Sequence, residues 1–334
     1  MTTTVNEPLQ AAKTAERAPR GAPGRAPFRG MAWIPGGSFR MGSDRHYREE
    51  APARDVRVEG FWMDRHPVTN AQFSRFVEQT GYVTVAERAL DPADYPGGLP
   101  DLLVPGSVVF SMPDGPVSLR SHFAWWRYVP GASWRHPTGP ESSAAGLSTH
   151  PVVHVAWEDV EAYARWAGKE LPTEAEWERA ARGGLEGREY AWGDELAPGG
   201  RIMANVWQGE FPRENLLLDG WERTSPVGRY PPNGYGLFDM IGNVWEWTAD
   251  WWHEGGAAGG ACCACGAADG GREASMDPAQ PQIRIPRKVL KGGSYLCAPN
   301  YCVRYRPAAR IPQQVDTGTG HQGFRCIVRT LPPS

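Results

Sequence analysis

Three stretches of the chain carry apolar residues at helical spacing. From Asn70 to Gln79, Phe73, Phe76 and Val77 share one face, with Thr69 or Asn70 as cap and Gly81 just beyond the end. From Trp157 to Ala167 the apolar face carries Val160, Tyr163, Ala164 and Ala167. The third follows Pro172: Thr173 and Glu176 form a Thr-x-x-Glu capping box, Trp177, Ala180 and Ala181 continue it, and Gly183-Gly184 stops it. Ahead of these, Met31 to Ile34 and Ser38 to Met41 read as two short strands around the turn at Pro35-Gly36-Gly37. Val56 to Met63 reads as another strand. Turns punctuate the rest, among them 230–236, Gly242-Asn243 and Gly292-Gly293.

No repeat of fixed period and no linker interrupts the chain after Met31. The expected organisation is a single domain over 31–334 behind a disordered extension over 1–30. A mobile, low-complexity Gly/Ala/Cys insertion is expected at 255–285. Composition sharpens this picture. The 40 Gly and 31 Pro among 334 residues argue against a helical bundle, while 15 Trp and 41% hydrophobic residues argue equally against disorder. With 35 basic and 38 acidic side chains the net charge is −3, which implies no nucleic-acid or anionic-membrane partner. No apolar run approaches a membrane span of roughly 20 residues. The first thirty residues lack the apolar segment of a secretory signal, so a cytoplasmic location is expected.

Six cysteines are too few and too clustered for a disulfide scaffold in a chain of this length. Cys297 and Cys302 are separated by four residues, unlike a zinc knuckle, and no second pair at ligand spacing completes a zinc site. A disulfide closing so short a loop would add only about 2 kcal/mol. Two thiolates alone suit a soft ion such as Cu(I), and Arg304 and Arg306 nearby would favour the thiolate form. Two buried structural thiols remain an alternative from these residues alone. Cys262, Cys263 and Cys265 sit among Gly and Ala with no rigid surroundings, as expected of a surface loop.

Two segments are rich in oxygen donors: Asn205 to Gly209 followed by Asp219-Gly-Trp221, and Asp239 to Glu246. Their spacing is not that of an EF-hand, and Asx-turns explain them as well as a hard cation does. The histidines are scattered: His150 and His154 stand four apart, but Pro151 spoils a helical pairing. No phosphate-binding loop, Gly-x-Ser-x-Gly elbow or nucleotide fingerprint is present.

From Met31 to Val328 the chain resembles the formylglycine-generating enzymes, or sulfatase-modifying factors, and their actinobacterial-type members in particular. The resemblance rests on Ile34-Pro-Gly-Gly-Ser-Phe-Arg-Met-Gly42, Pro67-Val-Thr-Asn70, His150-Pro-Val-Val-His154 and Leu171-Pro-Thr-Glu-Ala-Glu-Trp177. Asn205-Val-Trp-Gln-Gly209, Gly242-Asn-Val-Trp-Glu-Trp247 and Gly323-Phe-Arg-Cys326 extend it. Gly292 to Arg306, with both cysteines, separates this branch from silent paralogues and from iron sulfoxide synthases.

The resemblance implies an α+β, irregular C-type-lectin-like fold with little regular secondary structure. It implies O2-dependent oxidation of the cysteine in a Cys-x-Pro-x-Arg segment of an unfolded sulfatase polypeptide to Cα-formylglycine, with a thiol reductant. Cys297 and Cys302 would hold Cu(I), Cys302 lying nearest the substrate thiol, with β-hydrogen abstraction followed by hydrolysis to sulfide and aldehyde. Ser294, Trp245 and Tyr301 would line the oxygen pocket. Asp91, Arg304 and His321 would face the substrate, although a second acid expected near Pro67 is absent. Structural Ca2+ would sit at Asn205, Val206, Asp219 and Trp221, and again at Asp239, Gly242, Val244 and Glu246. Ala164 and Ala181 replace disulfide cysteines of secreted relatives and leave Cys326 without its usual partner. A monomer is expected, and a non-catalytic peptide-binding paralogue is the alternative.

Overall fold

The computed structural model describes residues 24–329 except 93, 94, 96, 98, 100–102 and 255–269. The three helices lie where their caps place them. In α1 (Asn70–Thr80) the Thr69 hydroxyl accepts from Gln72 N–H, the Gln72 side chain reaches back to the Thr69 backbone, and Gly81 closes the end left-handed. In α3 (Glu174–Arg182), Thr173 and Glu176 form the same box and Gly183 the same terminus. Helix α2 (Trp157–Trp166) starts on a carboxylate: Asp159 accepts the Ala156 N–H at 2.8 Å.

The strands depart from the sequence reading. β1 (Met31–Ile34) and β2 (Gly37–Met41) do not pair with each other. The expected continuous strand breaks at Glu59-Gly60 into β3 (Arg54–Val58) and β4 (Phe61–Asp64); β2 pairs with β3, and β1 with β4. Gly36 and Gly60 explain this. A Cβ on Gly36 would stand 2.7 Å from Gly60 N, so two chain crossings lie back to back in place of a simple hairpin.

β4 also pairs with β11 (Ile327–Arg329), which ties the end of the described chain to its start. A separate hairpin joins β5 (Gly106–Phe110) to β6 (Trp126–Pro130). The remaining sheet has the order β10-β7-β8-β9. Its strands are β7 (Trp245–Trp251), β8 (Arg287–Lys291), β9 (Arg310–Gln314) and β10 (Gln322–Gly323). Between β7 and β8, a short helix α4 (Gly270–Ala274) leads to the buried Ser275, whose carbonyl accepts from Arg287 Nε at 2.7 Å. Cys262, Cys263 and Cys265 lie outside the described residues. Mixed helices and strands joined by long irregular segments bear out the expected fold class.

Among the buried apolar clusters that hold these layers, two involve the helices. Phe73 and Phe76 of α1 pack on Tyr163 of α2, with ring centroids 5.9 and 5.6 Å apart, and Tyr163 meets Phe324 at 5.2 Å. Trp177, Ala180 and Ala181 of α3 pack with Ile34, Phe39 and Met63 of the first strands. Burying each such large side chain contributes roughly 1.5–3 kcal/mol. Cys326 is a free buried thiol in the first core, together with Ala164. Among the described residues no helix is long and apolar enough to cross a membrane.

Candidate active site

The connection from β8 to β9 builds the site. It leaves Lys291 through Gly292 and Gly293, both left-handed with φ of 95° and 76°. A Cβ on Gly293 would stand 2.8 Å from the Arg304 carbonyl oxygen, so the two arms of the loop pack this closely because glycine is there. Ser294 O accepts from Cys297 N–H at 3.0 Å, and Ala298 O from Cys302 N–H at 2.8 Å. These turns bring the two Sγ atoms to 3.3 Å. That is well beyond a disulfide's roughly 2.05 Å, and both cysteines are free.

The two thiols differ. Cys297 is 2% exposed, in the apolar core that also holds Trp245 and Tyr305. Burial pushes its thiol well up, although Ser294 N–H donates to its sulfur at 3.4 Å. Cys302 is only partly buried. The hydrogen bond from Cys297 pulls its thiol down to about 7; the Arg304 guanidinium, with Nη1 3.9 Å from Sγ, pulls the same way against burial. The two sulfurs are thus unlike: burial favours the neutral thiol at Cys297, and the surroundings of the partly buried Cys302 favour its ionisation.

Arg304 does not hang free over the site. Its Nε and Nη2 donate to Glu49 Oε1 at 3.2 and 2.6 Å, and its guanidinium lies 3.6 Å above the Tyr47 ring centroid. The expectation that Arg306 also serves the thiolate is corrected. Its guanidinium is buried and grips Glu50 through two hydrogen bonds of 2.7 and 2.5 Å.

Around the sulfurs, Tyr301 stacks on Phe211 at 4.6 Å with 8° between planes and meets the edge of Trp125 at 5.2 Å. Ser294 is fully buried, and its Oγ accepts from Leu296 N–H at 3.3 Å. Trp245 is buried on β7, and its backbone N–H donates to the His321 carbonyl at 2.9 Å. The His321 ring lies against Trp126 at 4.8 Å, and its Nδ1 pairs with Thr319 Oγ1. Asp91 is exposed, and the N–H of its neighbour Leu90 donates to Leu103 O at 3.1 Å.

A family model described as the sulfatase-modifying factor enzyme 1-like domain matches residues 17–330. The chain belongs to the formylglycine-generating enzyme family. The formylglycine-generating enzyme of Mycobacterium tuberculosis is 57% identical over 294 residues, covering 88% of this chain and 96% of that one. The inactive C-alpha-formylglycine-generating enzyme 2 of Mus musculus is 36% identical over 318 residues, covering 92% and 88%. Among solved structures, PvdO from Pseudomonas aeruginosa superposes with a TM-score of 0.58 at 25% identity, covering 89% of this chain and 93% of that one.

In this formylglycine-generating-enzyme fold the oxygen-rich segments directly buttress the cysteine loop. Trp207 N–H donates to Cys297 O at 3.0 Å, and Asn243 O accepts from Tyr295 N–H at 3.1 Å. In the first segment, Asp219 is held by neutral donors, Trp221 N–H at 3.0 Å and the Tyr230 hydroxyl at 2.7 Å. In the second, Asp239 takes a left-handed conformation at φ 53° and accepts Gly228 N–H at 2.7 Å, and burial raises its carboxyl to about 6. Glu246 spends both oxygens on Arg325, at 2.7 Å each, and one also on Trp177 Nε1 at 2.8 Å. Arg325 thus neutralises the Glu246 carboxylate and reaches Asp239 only through its backbone carbonyl, at 3.2 Å.

Sequence reasoning missed Tyr47, Glu49, Glu50, Trp125 and Phe211. They come from distant segments with no motif of their own. The only linear hint is the acidic pair Glu49-Glu50, which spacing alone cannot connect to an arginine more than 250 positions away.

Proposed function

We propose that this chain oxidises the cysteine of a Cys-x-Pro-x-Arg segment in an unfolded sulfatase polypeptide to Cα-formylglycine. The reaction would use O2, Cu(I) on Cys297 and Cys302, and a thiol reductant. The reading is carried by the pair of free thiols 3.3 Å apart, one buried and one partly buried, in a chain so similar to the mycobacterial enzyme. The substrate cysteine gives up one hydrogen from its β-carbon and one from its sulfur, and the resulting thioaldehyde is hydrolysed to aldehyde and hydrogen sulfide. O2 accepts that electron pair and a second pair from the reductant, and leaves as two waters.

The donor set of two sulfurs 3.3 Å apart suits a soft monovalent ion. Copper bound there supplies one-electron chemistry toward O2 and a soft position for the incoming sulfur. The chain's own residues do the rest. Tyr301, Phe211 and Trp125 wall off water on the open side, and Trp245 does so on the buried side. Ser294 has its acceptor engaged by Leu296 N–H, which leaves its hydroxyl to donate to reduced oxygen. Arg304 brings positive charge to the Cys302 sulfur, and Asp91 would meet the substrate arginine. The test is co-expression with a polypeptide carrying the motif: its cysteine becomes reactive toward a hydrazine probe. A polypeptide that stays a thiol refutes the reading.

The oxygen-rich segments would hold structural Ca2+ that stiffens the ground under the cysteine loop. Chelation with EDTA then lowers the melting temperature by several degrees, and added calcium restores it. A melting curve indifferent to both removes calcium from the account.

A further inference from the structure

Cys302 sits at the open end of its loop, and the residues after it are gripped by one short segment from the far end of the chain. Tyr47 and the 3-10 turn Arg48–Glu50 supply these grips. Val303 N–H donates to the Tyr47 hydroxyl at 3.0 Å. Arg304 lies on the Tyr47 ring and pairs with Glu49, and Arg306 pairs with Glu50. The turn is itself anchored: Ser43 N–H donates to Glu50 O at 3.1 Å, and Arg310 Nη1 to Glu49 O at 3.3 Å. On its other side Cys302 is tethered by its own N–H to Ala298 O.

We propose that Tyr47, assisted by Glu49 and Glu50, is a positioning clamp that fixes the Cys302 sulfur against Cys297 and so sets how tightly the pair holds a soft monovalent ion. The inference rests on the copper reading above. Tyr47 is the keystone because one side chain does two jobs: its hydroxyl fixes the backbone next to Cys302, and its ring face supports the guanidinium beside the sulfur. Without it, the connection after Cys302 can move, and two sulfurs that wander apart bind a shared ion more weakly. Partners one step removed from a metal ligand commonly contribute about 10–100-fold in affinity.

The test is anaerobic competition for Cu(I) against a chromophoric chelator, using the full chain and three variants. Tyr47→Phe keeps the ring and loses only the acceptor, and its Cu(I) affinity falls about 10-fold. Tyr47→Ala loses both and falls nearer 100-fold. Val77→Ala, a cavity on the α1 side of the core, lowers the melting temperature but leaves Cu(I) affinity unchanged. Wild-type affinity in both Tyr47 variants overturns the clamp while sparing the copper reading. Equal weakening by Val77→Ala overturns it as well, by reducing Tyr47 to general stability. A wild-type chain that takes up no Cu(I) overturns the copper reading and the clamp with it. Should Tyr47→Ala fail to fold, Tyr47→Phe decides alone.

Discussion

Cys302→Ser and Cys297→Ser each lower the turnover of a Cys-x-Pro-x-Arg peptide by a factor on the order of 10³ or more, the scale for groups that take part in the chemistry. The two losses have different origins. Cys302 is the partly buried thiol whose ionisation Arg304 favours, and a hydroxyl in its place stays protonated at neutral pH and binds soft ions poorly. Cys297 is buried, lies 3.3 Å from the Cys302 sulfur, and takes a hydrogen bond from Ser294 N–H. Removing it takes away both the second sulfur and the group that keeps Cys302 ionised. Cys302→Ser keeps the native melting temperature within a few degrees, while Cys297→Ser lowers it somewhat further because a hydroxyl enters the apolar core, and both variants still fold. Steady-state rates measured beside thermal melts check this. Near-normal turnover in either variant excludes a mechanism that needs both sulfurs.

Arg325→Met costs about 3–5 kcal/mol of folding stability, the range for breaking a buried ion pair from one side. Arg325 is fully buried, and its guanidinium binds Glu246 through two hydrogen bonds. It also donates to the carbonyls of Asp64 and Arg65 at 3.3 Å each, and to those of Phe238 and Asp239 at 2.9 and 3.2 Å. Methionine fills the volume and satisfies none of them. Glu246 is left buried near Asp239, whose burial already disfavours its charge. Exchanging Glu246 for Gln in the same chain recovers a large share of the loss, because the stranded charge disappears with it. Urea unfolding of the two variants measures this, and a loss below about 1 kcal/mol for Arg325→Met would show that the pair is not held as described.

The parts of the fold legible in the sequence are those written locally. Thr69, Thr173, Gly81 and Gly183 mark helix ends by chemistry that acts over three or four residues, so α1 and α3 fall where their caps put them. The strands near the start escape such a reading for the opposite reason. Pro35-Gly36-Gly37 has the look of a hairpin turn, but whether β1 meets β2 or β4 is decided by contacts such as Gly36 against Gly60, which no window of sequence displays.

The site divides the same way. Cys297, Cys302 and Ser294 are one loop and one motif, and the structure places the two sulfurs 3.3 Å apart with Ser294 N–H donating to Cys297. The segments around Asn205 and Asp239 stand out in the sequence for their oxygen donors, and the structure adds that they support the cysteine loop through Trp207 and Asn243. The clamp from Tyr47 to Glu50 is invisible in the sequence because its meaning lies in arginines at the other end of the chain.

The most direct measurement uses purified chain, a Cys-x-Pro-x-Arg peptide and a thiol reductant, followed by mass spectrometry under air and under nitrogen, with and without Cu(I). Loss of the peptide thiol, a hydrazine-trappable aldehyde and released sulfide are expected only when O2 and copper are both present. Equal conversion by copper-stripped protein would contradict the thiolate–copper site. A peptide that binds yet stays unmodified under all four conditions would contradict the oxidase itself.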